Sequence, residues 1–263
     1  MPRPIWSGAI SFGLVNVPVK LFSAVSPKDV RFHQIDARSN ARVKQKRVSS
    51  ATGEEVPYED IVKGYELRPD TYVTITPDEL DALDPKATKT IDIEDFVDLD
   101  QIDPVFYERP YYLVPDKGGA KAYALLRAAM TESNKVGIAR VVLRTKQYLA
   151  AIRAKGDVLV LETMLYPDEV VPTEDLDVPG DEVEVTSREE KMARQLIDSL
   201  TTEFDPDKYR DEYRERVLAL IEQKASGQEI VVEEAAEEPA KVVDLMAALE
   251  ASLAAVRKDR DKK

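Results

Sequence analysis

The sequence predicts an α+β protein, a strand-rich body followed by a helical arm, and three observations carry that reading. Short apolar segments with period-two alternation, divided by Gly, Pro and polar turns, dominate the chain up to about residue 186. A single clear helical pattern, 119–133, interrupts them. From 187 onward the apolar residues recur at helical spacing instead. With 263 residues, 43% of them hydrophobic and 33% charged, the chain can bury a substantial core beneath a heavily charged surface.

In "IWSGAISFGLVNVPVKLF" (5–22), Ile10, Phe12 and Leu14 alternate, and Val17, Val19 and Leu21 alternate on a shifted register after Asn16. Gly8, Gly13 and Pro18 oppose a helix, so the stretch predicts one or two strands with a bend. "VRFHQI" (30–35) and "RVKQKRV" (42–48) flank "DARSNA" and predict a hairpin. The second arm has only Val43 and Val48 to bury, which fits a projecting ribbon better than a core strand. "TYVTIT" (71–76) predicts a strand, and "PDELDAL" (77–83) a short helix behind Thr76 as N-cap. "KTIDIEDFVDL" (89–99) alternates, and "RPYYLVP" (109–115) is a short apolar strand. Helix 119–133 places Ala122, Leu125, Leu126 and Ala129 or Met130 on one face. "VGIARVVLR", "QYLAAIRAK" and "DVLVLETML", joined by short polar turns, predict an antiparallel meander.

Ser187 and Glu190 form an S-x-x-E capping box that opens a helix through about Leu200. A second helix begins after Asp205-Pro206 and runs to about Lys224, with Tyr209, Tyr213, Val217, Leu220 and Ile221 at helical spacing. Residues 225–240 read as a mobile acidic linker. Residues 241–263 form a terminal amphipathic helix whose stripe is Val242, Leu245, Met246, Leu249, Leu253 and Val256, followed by a short basic tip. Such a helix is marginal until its stripe is covered, so a partner groove is the expected destination.

The formal net charge is -13, but it is segregated. Residues 31–47 carry six basic side chains against Asp36, and residues 116–155 carry nine against Asp116 and Glu132. The block between, 54–108, holds seventeen acids and four bases. Screening confines each patch to roughly 8 Å, so local charge decides what docks where. A solvated face is the plain reading of any charge run. These runs, however, are of one sign and alternate with blocks that would repel the same ligand, which favours polyanion binding. No recognition helix or RNA-binding aromatic pattern accompanies them, so the expected mode is phosphate contact without sequence preference.

Catalytic constellations are scarce. There is no Cys, which excludes disulfides and thiolate metal sites and makes a reducing compartment the default. His33 is the only histidine and has no thiol or second imidazole to work with. There is no phosphate-binding loop motif, and Gly118-Gly119 reads as a turn before a helix. Asp92, Glu94, Asp95, Asp98 and Asp100 offer the alternative of a two-metal nuclease, but alternate acids on a strand more simply form a solvated face. No apolar run reaches membrane-spanning length, and the N-terminus lacks signal-peptide features. The expectation is a cytoplasmic binding protein, not an enzyme, with no cofactor and no metal.

Several long stretches are specific. "RPIWSGAISFGLVNVPVKLFSAV" (3–25), "RFHQID" (31–36), "GEEVPYEDIVKGYE" (53–66), "TIDIEDFVDLDQIDP" (90–104), "PYYLVPDKGGAKAYALL" (110–126) and "DEYRERVLALIE" (211–222) are collinear with, and closely resemble, the prokaryotic Ku protein family. The resemblance covers nearly all of 1–224. It implies a Ku-type β-barrel core over 1–186, with a DNA-encircling bridge ribbon at about 30–65 and a helical arm at 187–224 that helps close a homodimer. It further implies a double-strand-break repair factor that binds DNA ends as a ring in non-homologous end joining and recruits the ATP-dependent DNA ligase D. A nucleoid-associated location follows from that role. Arg31, Arg38, Arg42, Lys44, Lys46 and Arg47 fall in the bridge by this match and are the expected DNA contacts, with Arg140, Arg144 and Lys146 near the inner wall of the DNA-encircling ring. The terminal stripe is the expected ligase contact. Many relatives continue into a Lys-rich tail where this chain ends in "RKDRDKK", which puts tail functions in doubt. A protein scaffold that meets an acidic partner is the other alternative.

Overall fold

The computed structural model describes residues 3–83, 89–144, 146–180, 182–227 and 245–260. The chain forms two compact units: Met1–Lys28 with His33–Thr173, and Asp29–Phe32 with Glu174–Lys263.

The first unit begins with β1 (Trp6–Phe12) and β2 (Val15–Ser23), an antiparallel hairpin. Its turn is at Gly13, whose φ of +58° suits glycine, and Leu14 at the tip is fully exposed. The expected bend therefore lies at Gly13-Leu14, while Asn16 is inside β2 opposite Ser11. A ribbon follows: β3 (Ile35–Asp36) with β4 (Ala41–Arg42), then β5 (Lys63–Arg68) with β6 (Thr71–Ile75). The 30–48 hairpin is thus far shorter than expected, two residue pairs plus an isolated bridge between Val48 and Glu55. With so few apolar residues its arms have nothing to bury. Helix α1 (Pro77–Leu83) starts where expected: the Glu79 carboxylate accepts from the Thr76 backbone N–H and hydroxyl, and the Thr76 hydroxyl accepts from the Glu79 N–H.

Then come β7 (Thr90–Asp98), β8 (Tyr107–Pro115), α2 (Ala120–Ser133), β9 (Lys135–Leu143), β10 (Lys146–Lys155) and β11 (Val158–Met164). Among the described residues seven strands close a barrel in the order β1-β2-β8-β11-β10-β9-β7. The closing seam is parallel, Ala9 to Thr90 through Ser11 to Asp92, and every other pairing is antiparallel.

The lumen is filled by Ile10, Val17, Val19, Leu21, Ile91, Leu113, Val141, Ile152, Leu159 and Leu161, all fully or almost fully buried. A smaller cluster lies outside the wall, where Ile102, Phe106 and Tyr107 pack on Val136, Ala151 and Met164. A bulge between Ile93 and Asp95 connects the two layers. Ile93 packs into the lumen and Val97 onto the outer cluster, although even spacing would put both on one face. The acids of 92–98 consequently do not share one regular face.

Helix α2 turns Tyr123, Leu126 and Met130 inward and leaves Leu125 exposed, a shift from the expected face. The cause is the Tyr123 hydroxyl. It donates to the Leu113 carbonyl and accepts from the Leu159 N–H, each at 2.7 Å, between cross-strand partners of β8 and β11.

The second unit contains α3 (Ser187–Leu200), α4 (Glu212–Ala225) and α5 (Leu245–Arg260). Helix α3 is capped one residue earlier than expected: the Thr186 hydroxyl accepts from the Glu189 N–H, and the Glu189 carboxylate accepts from the Thr186 N–H. The Thr186 hydroxyl, which donates to that carboxylate at 2.6 Å, and then the Thr186 N–H hold the Glu189 carboxyl below the usual range. Asp205-Pro206 opens only a 3₁₀ turn, and α4 starts later, behind Asp211 as N-cap. Helix α5 lies along α3, with Arg188 3.3 Å from Glu250. Residues 228–244 of the expected linker and terminal helix lie outside the described residues.

Candidate nucleic-acid interface

The ribbon's chemistry starts from its lack of burial. From Arg31 to Thr74 almost every side chain is exposed, including Tyr58, Tyr65, Leu67 and Tyr72. Such a surface cannot be stabilised by a core of its own, so its side chains are free to meet something else. At its turn the Asp36 carboxylate accepts from the Arg38 N–H at 3.0 Å and the Ser39 hydroxyl at 2.8 Å, with Asn40 left-handed at φ +52°. These bonds, the Arg38 N–H foremost, hold Asp36 below the usual carboxylate range. Asp36 therefore stays charged at neutral pH and opposes the Arg38 guanidinium, whose Nε lies 3.4 Å away.

The expected contact residues divide by pairing. Lys46 is bonded to Glu55, Arg140 lies 3.3 Å from Glu94, and Lys146 lies 3.9 Å from Glu169 and over the Tyr148 ring. Arg47 sits above the Tyr58 ring at 5.2 Å. Arg42, Lys44 and Arg144 are exposed and have no carboxylate partner among the described residues. Arg31 is also exposed and without such a partner, in the short segment assigned to the second unit. Arg140 faces away from the lumen on β9, on the same side as Val136 and Ile138.

Sequence reasoning missed Arg109. It stands on β8 two and four residues before Tyr111 and Leu113, which both point into the lumen, so strand alternation in "ERPYYLV" was the available signal. With Arg144 it lines an open cavity of about 390 Å³ at one mouth of the barrel, alongside Trp6, Tyr111, Leu143 and Tyr148.

Of the terminal stripe, Met246, Leu249 and Leu253 are half-buried and Leu245 is exposed. Val242 lies outside the described residues, as does the side chain of Val256. Among the described residues, no group of three or more His, Asp or Glu side chains is placed to hold a metal ion. Asp92 accepts from the Thr90 hydroxyl, Glu94 faces Arg140 and Asp98 accepts from Lys135, so these acids are tied to separate neighbours. No helix among the described residues is long and apolar enough to cross a membrane.

The site is thus a closed barrel bearing a long, exposed, cation-carrying ribbon. The model of the Ku70/Ku80 β-barrel domain matches residues 11–193. The "Non-homologous end joining protein Ku" of Anaeromyxobacter sp. (strain K) is 52% identical over 262 residues, 99% of this chain and 88% of that protein. Its namesake in Heliobacterium modesticaldum is 47% identical, covering 99% and 94%. That of Opitutus terrae is 42% identical over 253 residues, covering 95% and 91%. The chain belongs to the Ku family.

Proposed function

We propose that this chain binds the ends of double-stranded DNA as a homodimeric ring in non-homologous end joining. The observation that carries the reading is the ribbon: exposed along its length, bearing unpaired Arg42 and Lys44, on a barrel of the Ku family. Cations without local partners release mobile counterions when they meet phosphate, which favours any duplex regardless of sequence. The exposed Tyr65, Leu67 and Tyr72 of the ribbon, and separately Phe204, Tyr209 and Tyr213 of the arm, are the kind of apolar surface a second copy would cover. Half-buried Met246, Leu249 and Leu253 keep α5 a candidate contact for the ATP-dependent DNA ligase D.

The test combines a solution mass with end dependence. A threading ring binds linear duplex far more tightly than closed circular duplex of equal length, and its mass is that of a dimer. If the six to ten phosphates typical of such contacts are neutralised, affinity falls about 10³–10⁵-fold between 50 and 200 mM salt. A monomer, or equal binding to circular and linear forms, overturns the reading.

A further inference from the structure

We infer that the barrel mouth between Arg109 and Arg144 is a binding site for a single unpaired nucleotide, its phosphate held by the guanidiniums and its base laid against the aromatic floor. The cavity, at about 390 Å³, has the size of a small-ligand site and cannot admit a duplex. Its floor is the top layer of the lumen: Tyr111 is almost buried, and Trp6, Leu143 and Tyr148 pack half-buried on the core. Flat apolar walls accept any base, because every base presents a π-face.

Charge supplies the second argument. In this barrel Lys20 is held by Asp116, Arg127 by Asp157, Lys135 by Asp98 and Arg153 by Glu162. Arg109 and Arg144 have no such partner among the described residues, and no acid lines the cavity they share. Two uncompensated guanidiniums beside an apolar floor, in a chain of net charge -13, call for an anion joined to a flat ring. A nucleotide is both. Arg144 also holds a left-handed φ of +61° in the β9–β10 turn, where Asn or Gly would be relaxed, so the position keeps its guanidinium against backbone preference.

The inference rests on the DNA-end reading only for the nucleotide's source, an unpaired overhang. Trp6 is the chain's single tryptophan and lines the cavity, so its fluorescence responds to a ligand bound there. Thymidine 5′-monophosphate should quench Trp6 saturably in the full chain, and thymidine without phosphate should bind about tenfold more weakly. Arg109→Gln should weaken the nucleotide by about tenfold while leaving blunt duplex binding within about twofold. Arg144→Asn should weaken it likewise yet melt no lower than the parent, which separates lost binding from lost folding. A duplex with a single-stranded overhang should bind more tightly than the blunt duplex, and Arg109→Gln should erase that advantage.

Absence of quenching, or nucleotide affinity unchanged in both variants, overturns the site. Equal quenching by a glutamate-rich peptide reassigns it to an acidic protein partner and overturns the nucleotide. Binding of the monophosphate with no overhang advantage overturns the DNA end as source. If neither duplex binds but the monophosphate still quenches Trp6, the end-binding reading fails and the mouth site stands.

Discussion

Replacing Arg42 and Lys44 together with glutamine removes two ribbon cations that have no carboxylate partner among the described residues. In a homodimer the substitution takes four charges from the DNA path. At about 0.9 counterions per neutralised phosphate, the log–log salt slope should become shallower by about 3.6. Between 50 and 200 mM salt, the affinity ratio of parent to variant then shrinks about 150-fold. The contrasting variant is Lys46→Gln with Arg140→Gln. Glu55 and Glu94 already balance those cations, so fewer mobile counterions leave when they meet phosphate, and the slope should change by less than about 1. Fluorescence anisotropy of a labelled blunt duplex, repeated across the salt range, reads both slopes. Equal flattening by the two variants would refute the idea that local ion pairs select the phosphate-contacting cations. No flattening by either would remove the ribbon from the interface altogether.

Tyr123→Phe leaves a buried N–H at Leu159 and a carbonyl at Leu113 without the hydroxyl between them, and should cost about 2–3 kcal/mol in urea unfolding. A loss below about 0.5 kcal/mol would mean that water replaces the hydroxyl there. Gly8→Ala would set a Cβ 2.0 Å from the Lys89 carbonyl and 2.3 Å from the Trp6 ring, at the seam where the Ala9 N–H donates to Lys89. It should cost about 3 kcal/mol or more and shift Trp6 emission to the red. Glu189, whose carboxyl is held below its ordinary 4.5, stabilises the start of α3 fully above that pH and loses the effect as pH falls through its lowered folded value. The far-UV helical signal should therefore fall in acid, and Glu189→Gln should flatten that limb.

The barrel was legible because its strands obey simple rules. "DVLVLETML" and "VGIARVVLR" are short apolar runs between polar turns, and they became β11 and β9, with most residues fully or partly buried. β5 escaped notice because all six of its residues are exposed, so no buried face imprints a period on "KGYELR". The Glu94 bulge was invisible because an inserted residue leaves the apolar count unchanged while reversing the faces beyond it. The cap of α3 was ambiguous by construction: "TSREE" satisfies the box from Thr186 to Glu189 and from Ser187 to Glu190, and the structure uses the first. The helix α2 face was misjudged by ranking aliphatic residues above Tyr123, whose polar tip finds both its partners inside. Ion pairing was beyond reach, because it depends on which distant strands become neighbours.

That last gap alters the meaning of the charge pattern. Taken as a string, the acidic block at 54–108 looks like a repulsive outer surface set against two basic runs. Folded, it supplies Glu55 to Lys46, Glu94 to Arg140 and Asp98 to Lys135, cancelling cations one at a time. Within the two basic runs the surviving positive surface is narrower than the sequence implies: among the described residues Arg42 and Lys44 on the ribbon keep no carboxylate partner, and Arg144 meets Arg109 at the barrel mouth. Paired cations contribute little to counterion release, so affinity for a duplex should follow the unpaired ribbon cations and not the basic runs as wholes. Two places with different geometry remain, an open ribbon suited to a duplex backbone and an aromatic-floored cavity suited to one splayed nucleotide. A broken DNA end is a ligand that offers both.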